Sequence, residues 1–312
     1  MRTALDRLAP RYYETPRVPG PIAALASVPD TLPVGSPAKV GILDLGFAVR
    51  SGRTELVERY QKSPLQLMRP MWFDPHLTDM AYVFVMSTGG GVAQADRYRM
   101  DFDCGPDTRV HVTTQSATKV YRMEHDYATQ RVHLTARAGS YVEYLPDPII
   151  PFADSRFYQH TDVVVEPGAT VLLSETITAG RLARGERHAY RTLAGDLRMR
   201  RPDGRLLVVD TLRLEPGTAG VLGPGVFAGH DLVHTLHVVT DRVPPERIAD
   251  ALHTALAGQD LRFGVSTLPH DCGAWLRLLD HCPMRVEAAR LASWDAARRL
   301  LTGGPAPDLR KS

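Results

Sequence analysis

Three groups of residues carry the types and spacings that chemistry needs. His230, His234 and His237 lie in the run His-Asp-Leu-Val-His-Thr-Leu-His. The flanking Val, Leu and Thr favour a strand, which sets His230 and His234 on one face and His237 on the other, so a regular strand cannot bring all three to one metal ion. His270-Asp-Cys272 and His281-Cys282 form two imidazole/thiol pairs bracketing a short apolar strand. If that strand were a hairpin arm, the pairs could hold zinc or nickel. Their spacing matches no standard zinc motif, however, and isolated cysteines are most often buried apolar residues. The third group is a scatter of carboxylates, Asp96, Glu143, Asp147, Glu175 and Glu186. Alone, each reads as solvated or ion-paired. With Lys119, Arg122 and Arg181 they could line a polar interior, where every buried charge needs a partner. Neither Gly-x-Ser-x-Gly nor His-Glu-x-x-His is present, so no hydrolytic reaction follows from a motif.

Asp96 sits beside three consecutive glycines, Gly89 to Gly91. A dinucleotide fingerprint would need G-x-G-x-x-G opening a helix, and a P-loop would need a closing Gly-Lys-Ser/Thr; this run has neither and leads into strand periodicity. It reads instead as a tight corner between strands, Ala81–Met86 before it and an alternating run after Asp96. Gly105-Pro106-Asp107 then turns the chain, read as a hairpin, into a second alternating strand and a Thr/Gln/Ser/Lys/Tyr cluster at 112–122.

Similar units recur. Strands open after Gly105, Gly139 and Gly168, each preceded by another β run, at intervals of roughly 30 residues. The pattern predicts a mainly β protein of layered antiparallel sheets, with a β-sandwich or β-helix-like body. Hairpin turns are expected at Arg50–Arg53 and Pro202-Asp-Gly204. Helices come late, over 245–257 with Ile248, Leu252, Ala255 and Leu256 inward, and over 285–302 with Leu291, Trp294 and Leu301 inward. Residues 1–37 are proline-rich and read as an extended arm, 38–304 as one β-rich domain, and 305–312 as a loose tail.

Bulk composition excludes several classes. Thirty-seven basic against 35 acidic residues, with no long basic run, do not favour nucleic acid. The lack of a basic-then-apolar leader, and of any apolar run near the roughly 18 residues of a membrane span, leads to the expectation of a soluble cytoplasmic protein. Three cysteines are too few for a disulfide framework at 312 residues.

These stretches resemble the urease accessory protein family UreD, also called UreH. The pattern Gly-Gly-hydrophobic-x-x-Gly-Asp-Arg is met by Gly90 to Arg97, and Thr-Thr-Gln-x-Ala-Thr-Lys-x-Tyr-Arg by residues 113–122. Glu-aromatic-Leu-Pro followed by Pro-Phe is met by Glu143–Pro146 and Pro151-Phe152, and Gly-Arg-x-x-x-Gly-Glu by Gly180 to Glu186. The pattern continues through Ser266, Leu268, Arg277, Leu279 and Trp294 to Leu309-Arg310. Two residues depart from it: Ala95 replaces the last glycine before the aspartate, and Leu182 a frequent proline.

The resemblance implies a non-catalytic scaffold that binds apo-urease with UreF and the GTPase UreG and assists nickel delivery, with no tightly bound cofactor. It suggests Asp96, Glu143, Glu175 and Glu186 as a transient nickel route or its mouths. Gly90, Gly91, Arg97, Gln115, Lys119, Tyr121, Arg122, Gly180, Arg181 and Gly185 would shape that route or meet partners. The rival reading is a β-rich metal-dependent hydrolase built on His270, Cys272, His281 and Cys282.

Overall fold

The computed structural model describes residues 4–26, 40–217, 220–309 and 311. Among them the first strands are β1 (Val40–Arg50), β2 (Arg53–Lys62), β3 (Leu65–Gln66), β4 (Ala81–Ser87), β5 (Arg97–Cys104) and β6 (Arg109–Thr114). Then follow β7 (Thr118–Val120), β8 (Ala128–Ala136), β9 (Tyr141–Tyr144), β10 (Ile149–Pro151), β11 (Arg156–Val165) and β12 (Thr170–Thr178). The last are β13 (Thr192–Arg200), β14 (Leu206–Leu214), β15 (Leu232–Val239), β16 (Arg262–Thr267) and β17 (Gly273–Asp280). Short helices α1 (Ala4–Leu8), α2 (Pro10–Tyr13) and α3 (Gly20–Ala23) precede the strands. Helix α4 (Pro245–Leu256) precedes β16, and α5 (Pro283–Thr302) follows β17.

Each glycine-turn unit is one coil of a solenoid. The turns at Gly105, Gly139 and Gly168 carry the chain from one sheet to the other, from β5 to β6, β8 to β9 and β11 to β12. One sheet has the order β14-β13-β11-β8-β5-β1-β2, the other β16-β17-β15-β12-β9-β6-β4-β3. Successive coils stack in register, Arg97 beside Thr129 and Thr129 beside Tyr158, which is the roughly 30-residue repeat.

The mainly β, layered, helix-like body is as expected, but the strand direction is not. The central ladders β5–β8–β11–β13 and β4–β6–β9–β12 are parallel. Antiparallel pairing is kept at the margins, including hairpins at Arg50–Arg53 and between β13 and β14. The turn at Gly105 is therefore no hairpin. Alternating residues and a glycine turn serve a hairpin and a coil equally well, and the sequence pattern at a single turn does not separate them.

Buried side chains such as Phe102, Val112, Val132, Phe157 and Val171 fill the space between the sheets. A second apolar layer forms where α4 and α5 cover the outer face of β15 and β17, with Ile248, Leu252, Leu256, Val286 and Trp294 against Leu236, Leu276 and Leu278. Each fully buried aliphatic side chain of this kind contributes about 1.5–3 kcal/mol. Helix α5 starts with Pro283 at its first turn and stops at Gly303, whose φ is 78°. Its inward face differs from the expected one. Trp294 is buried as expected, but Leu291 is exposed, and Arg290, Ala297 and Arg298 complete the buried face instead.

The two chain ends are also more fixed than expected. The described part of the arm holds α1 to α3, and Tyr12, Tyr13 and Ile22 are buried against the outer face of the first sheet. Residues 27–37 of that arm lie outside the described residues. In the tail, Ala306 N donates to Asp295 Oδ1 at 2.8 Å and Lys311 Nζ reaches Asp147 Oδ1 at 2.9 Å.

Candidate functional site

The glycine corner between β4 and β5 is built by close approach. A Cβ on Gly91 would stand 2.7 Å from the Lys119 carbonyl oxygen and 3.0 Å from the Tyr121 ring. Only glycine lets Val92 N donate to that same carbonyl at 2.7 Å and Val92 O accept from Tyr121 N at 2.9 Å. Asp96 locks the corner from beneath. It is buried, and its Oδ2 accepts from Ala93 N at 2.7 Å and from the Tyr98 hydroxyl at 3.0 Å. Burial, then the neighbouring Asp96, pushes the Tyr98 hydroxyl well above the ordinary phenol range. Ala95 keeps the left-handed backbone that a glycine would favour, at φ 62°. Arg97 faces elsewhere, donating to Tyr127 O at 2.6 Å with its guanidinium over the Tyr127 ring.

Behind the corner, two cavities follow one another between the sheets. The first, of about 180 Å³, is lined at one end by Gly90, Gly91, Gln115 and Lys119. The second, of about 330 Å³, is lined by Asp210, His237 and Arg277. Tyr144, Gln159 and Glu175 line both. Across this shared wall, Gln130 Nε2 donates to Gln159 Oε1 at 3.0 Å and Gln159 Nε2 donates to Glu175 Oε1 at 2.7 Å. Burial, reinforced by Asp210 and opposed by Arg277 and Gln159, pushes the Glu175 carboxyl up to about 7. Glu175 is enclosed by protein yet keeps part of its surface on the cavity. Beyond it, Arg277 holds Asp210 at 2.6 Å and His237 Nε2 lies 3.8 Å from the same oxygen. His237 Nδ1 is buried without a hydrogen-bond partner among the described residues, and burial keeps the ring's pKa below the usual imidazole range.

A third set lies outside the mouth. The Tyr121 and Phe152 rings meet edge-on at 5.3 Å, and Arg181 lies 4.0 Å over Phe152. Arg181 Nε donates to Glu186 Oε2 at 2.8 Å, which also accepts from Ala153 N at 3.1 Å. Arg181 holds the Glu186 carboxyl below its usual range. Leu182, in the usual proline position, opens a single 3-10 turn closed by Gly185 at φ 74°. A Cβ on Gly180, whose φ is 134°, would stand 2.8 Å from Glu186 O. Arg122 is exposed, 3.5 Å from Asp154. Lys119 is exposed and makes no ion pair or side-chain hydrogen bond among the described residues. Gly90, Gly91, Gln115 and Lys119 thus surround one opening, with Tyr121 packed on the two glycines and the Arg181–Glu186 pair beside it.

The family model described as UreD urease accessory protein matches residues 39–312. The chain belongs to the UreD urease accessory protein family. It is 72% identical over 292 residues to urease accessory protein UreD 2 of Streptomyces griseus subsp. griseus, covering 93% of this chain and 100% of that protein. It is 37% identical over 278 residues to urease accessory protein UreD of Haloarcula marismortui, covering 89% and 92%. With urease accessory protein UreD 2 of Brucella suis biovar 1 the figures are 34% over 283 residues, 90% and 94%. Membership places the chain in urease maturation.

Within this UreD fold, the carboxylates singled out by sequence do not all share one passage. Glu175 lines both cavities and Asp147 the first, whereas Asp96 underlies the mouth and Glu186 lies outside it. Glu143 faces the other way, fully buried beneath α5. Its Oε1 accepts from the Tyr141 hydroxyl at 2.8 Å, its Oε2 lies 2.6 Å from His111 Nδ1, and Arg298 Nη1 approaches to 3.6 Å. Burial opposes ionisation there, but His111 and Arg298 outweigh it and keep Glu143 below its ordinary pKa. Arg298 also pairs with buried Asp74 and donates to the Tyr82 hydroxyl at 2.8 Å.

Of the three histidines only His234 and His237 lie on β15, on opposite faces as strand geometry requires. His230 precedes the strand, in the turn that ends at Phe227–His230, and so does not share a strand face with His234. His234 is buried on the face opposite His237, with Nδ1 2.8 Å from Thr176 Oγ1. His270/Cys272 and His281/Cys282 occupy opposite ends of β17, roughly 25–30 Å apart at strand rise. Among the described residues, no three His, Cys, Asp or Glu side chains are grouped to hold a metal ion. Sequence reading missed Gln159, Asp210, His111 and Arg298. One signal was available: Gln130 and Gln159 occupy equivalent positions of adjacent coils.

Proposed function

We propose that this UreD-family chain is a non-catalytic scaffold of urease maturation that binds apo-urease together with UreF and the GTPase UreG in the cytoplasm, and conducts Ni²⁺ toward the urease active site. The observation that supports this most is the pair of successive cavities, entered beside the Gly90–Tyr121 motif and divided by Glu175. Nickel is cargo here. A carrier for an ion that N/O/S donors hold tightly must offer few donors at a time. The passage does so, presenting Asp147, already paired with Lys311, and Glu175 in the first chamber, and then Asp210 with His237 in the second. Asp96 shapes the entrance, and the Arg181–Glu186 pair forms part of the surface a partner covers. Glu143 contributes indirectly, by fixing the cavity's wall to the helices behind it.

The test replaces this gene, within an expressed urease cluster, by Glu175→Ala, Asp96→Ala and Glu186→Ala variants. Urease activity, nickel content of purified urease and co-purification of apo-urease are then measured. Glu175→Ala is expected to lower nickel content with co-purification intact, and Glu186→Ala to weaken co-purification. Unchanged activation in all three variants would overturn the proposal.

A further inference from the structure

We propose that His230 and His281 form a surface site for a divalent transition-metal ion of the imidazole-preferring kind, such as Ni²⁺, Zn²⁺ or Cu²⁺. The two rings, 51 residues apart in sequence, stack with centroids 4.8 Å apart and planes inclined by 27°. Their hydrogen bonds fix which nitrogen of each ring carries the proton. His230 Nδ1 lies 3.0 Å from the carbonyl oxygen of Phe227, and a carbonyl only accepts, so this Nδ1 carries the hydrogen. His281 Nδ1 lies 2.9 Å from Asp231 Oδ2, and Arg187 pairs with the same carboxylate, so it too accepts. In its neutral form each ring therefore has a bare Nε2. Neither Nε2 has a hydrogen-bond partner among the described residues.

This arrangement resembles the outer sphere of histidine metal sites, in which the second ring nitrogen donates to a carboxylate or backbone carbonyl and the ligating nitrogen is oriented and made more basic. Here both forms occur side by side. The supporting backbone is tied together as well. Asp231 N donates to Asp280 O at 3.2 Å, Asp231 O accepts from Ala179 N at 2.6 Å, and His230 N donates to Phe227 O at 2.8 Å. Two imidazoles binding one ion through bonds of about 2.0–2.1 Å need their nitrogens about 3 Å apart. Rotation of the His281 ring, whose side chain is 56% exposed, can supply that adjustment. Two protein donors with water completing the shell give a site from which the ion exchanges readily. The inference stands apart from the maturation role, although Phe227, which pins His230, also lines the second cavity.

The test titrates the purified full-length chain with NiCl₂ alone, then ZnCl₂ alone, by calorimetry. The variants are His230→Ala, His281→Ala and, as a control at the far end of β17, His270→Ala. One ion per chain should depend on this pair, its affinity being reduced about tenfold or more in either of the first two variants and unchanged in the control. The metal-induced rise in unfolding temperature should vanish in the same two variants. If His230→Ala fails to fold, His281→Ala, which removes an exposed ring, decides the matter. Long-range ¹H–¹⁵N spectra of the metal-free protein should show the Nδ1–H tautomer for both rings. Absence of binding, an undiminished isotherm in His281→Ala, or the Nε2–H tautomer at either ring would overturn the proposal.

Discussion

His111 Nδ1 stands 2.6 Å from Glu143 Oε2 in a site closed to solvent on all sides. The imidazole lies between the Tyr82 and Trp294 rings, and its Nε2 has no hydrogen-bond partner among the described residues. An imidazolium would leave a charged N–H unsatisfied there, so the ring is neutral and donates through Nδ1. Burial lowers its pKa accordingly. The charge that balances Glu143 and Asp74 is Arg298, from helix α5. One guanidinium thus fastens the helical layer to the sheet.

Removing that cation should be the costliest single change in the molecule. Arg298→Met leaves Asp74 and Glu143 ionised and buried without compensation, a loss of about 3–5 kcal/mol. Urea denaturation would read it directly. A loss below about 1 kcal/mol would show that the carboxylates neutralise each other by sharing protons.

Glu175 predicts a pH dependence of stability. Its carboxyl is raised to about 7 in the folded chain, so the fold retains a proton that the unfolded chain gives up near its ordinary value. The contribution is fully present below the unfolded pKa and is lost as pH rises toward and through 7. Glu175→Gln abolishes this titration and keeps an acceptor for Gln159. The variant's unfolding free energy relative to the parent should therefore rise between pH 5 and pH 8 by up to about 3 kcal/mol. Parallel curves for the two proteins across that range would refute the assignment.

Two backbone positions near the mouth predict opposite signs. Ala95 holds φ 62°, where an L-residue with a Cβ costs roughly 1–2 kcal/mol. Ala95→Gly should raise the unfolding temperature slightly, the relief being partly offset by a more flexible unfolded chain. Gly180→Ala should lower it, because its Cβ meets the Glu186 carbonyl at 2.8 Å from a φ of 134°. Paired thermal melts check both.

The Arg181–Glu186 pair is at the surface, where ion pairs add little to stability. Glu186→Gln should melt like the parent while weakening capture of apo-urease in a pull-down. A variant that melts normally and captures normally would remove this pair from the proposed partner surface.

Most of the longer strands, their glycine turns and both late helices were legible because periodicity and turn chemistry are local properties; β16 and the short β3, β7 and β10 were not. Strand direction was not, since it depends on which coil lies next to which. The facing of strand residues was legible only in part. Alternation separates Glu143 from its neighbours, but which face meets solvent, cavity or helix depends on the layers above and below. Helix α5 shows why. Its inward face carries Arg298, which hydrophobic spacing assigns to solvent, and turns out Leu291, because a buried Asp74 is waiting for the cation. His230 and His281 are far apart in sequence, and only the pairing of β15 with β17 brings them together.

The stacking of coils also makes the body a ruler. Both cavities lie between the sheets and run past β5, β8, β11, β13 and β14 in turn, so the distance from mouth to far chamber is counted in strand spacings of about 4.8 Å. Inserting or deleting a coil would lengthen or shorten the interior by one such step while leaving each end's turns and side chains as they are. Reach along the axis and chemistry at the ends are in this architecture separate variables.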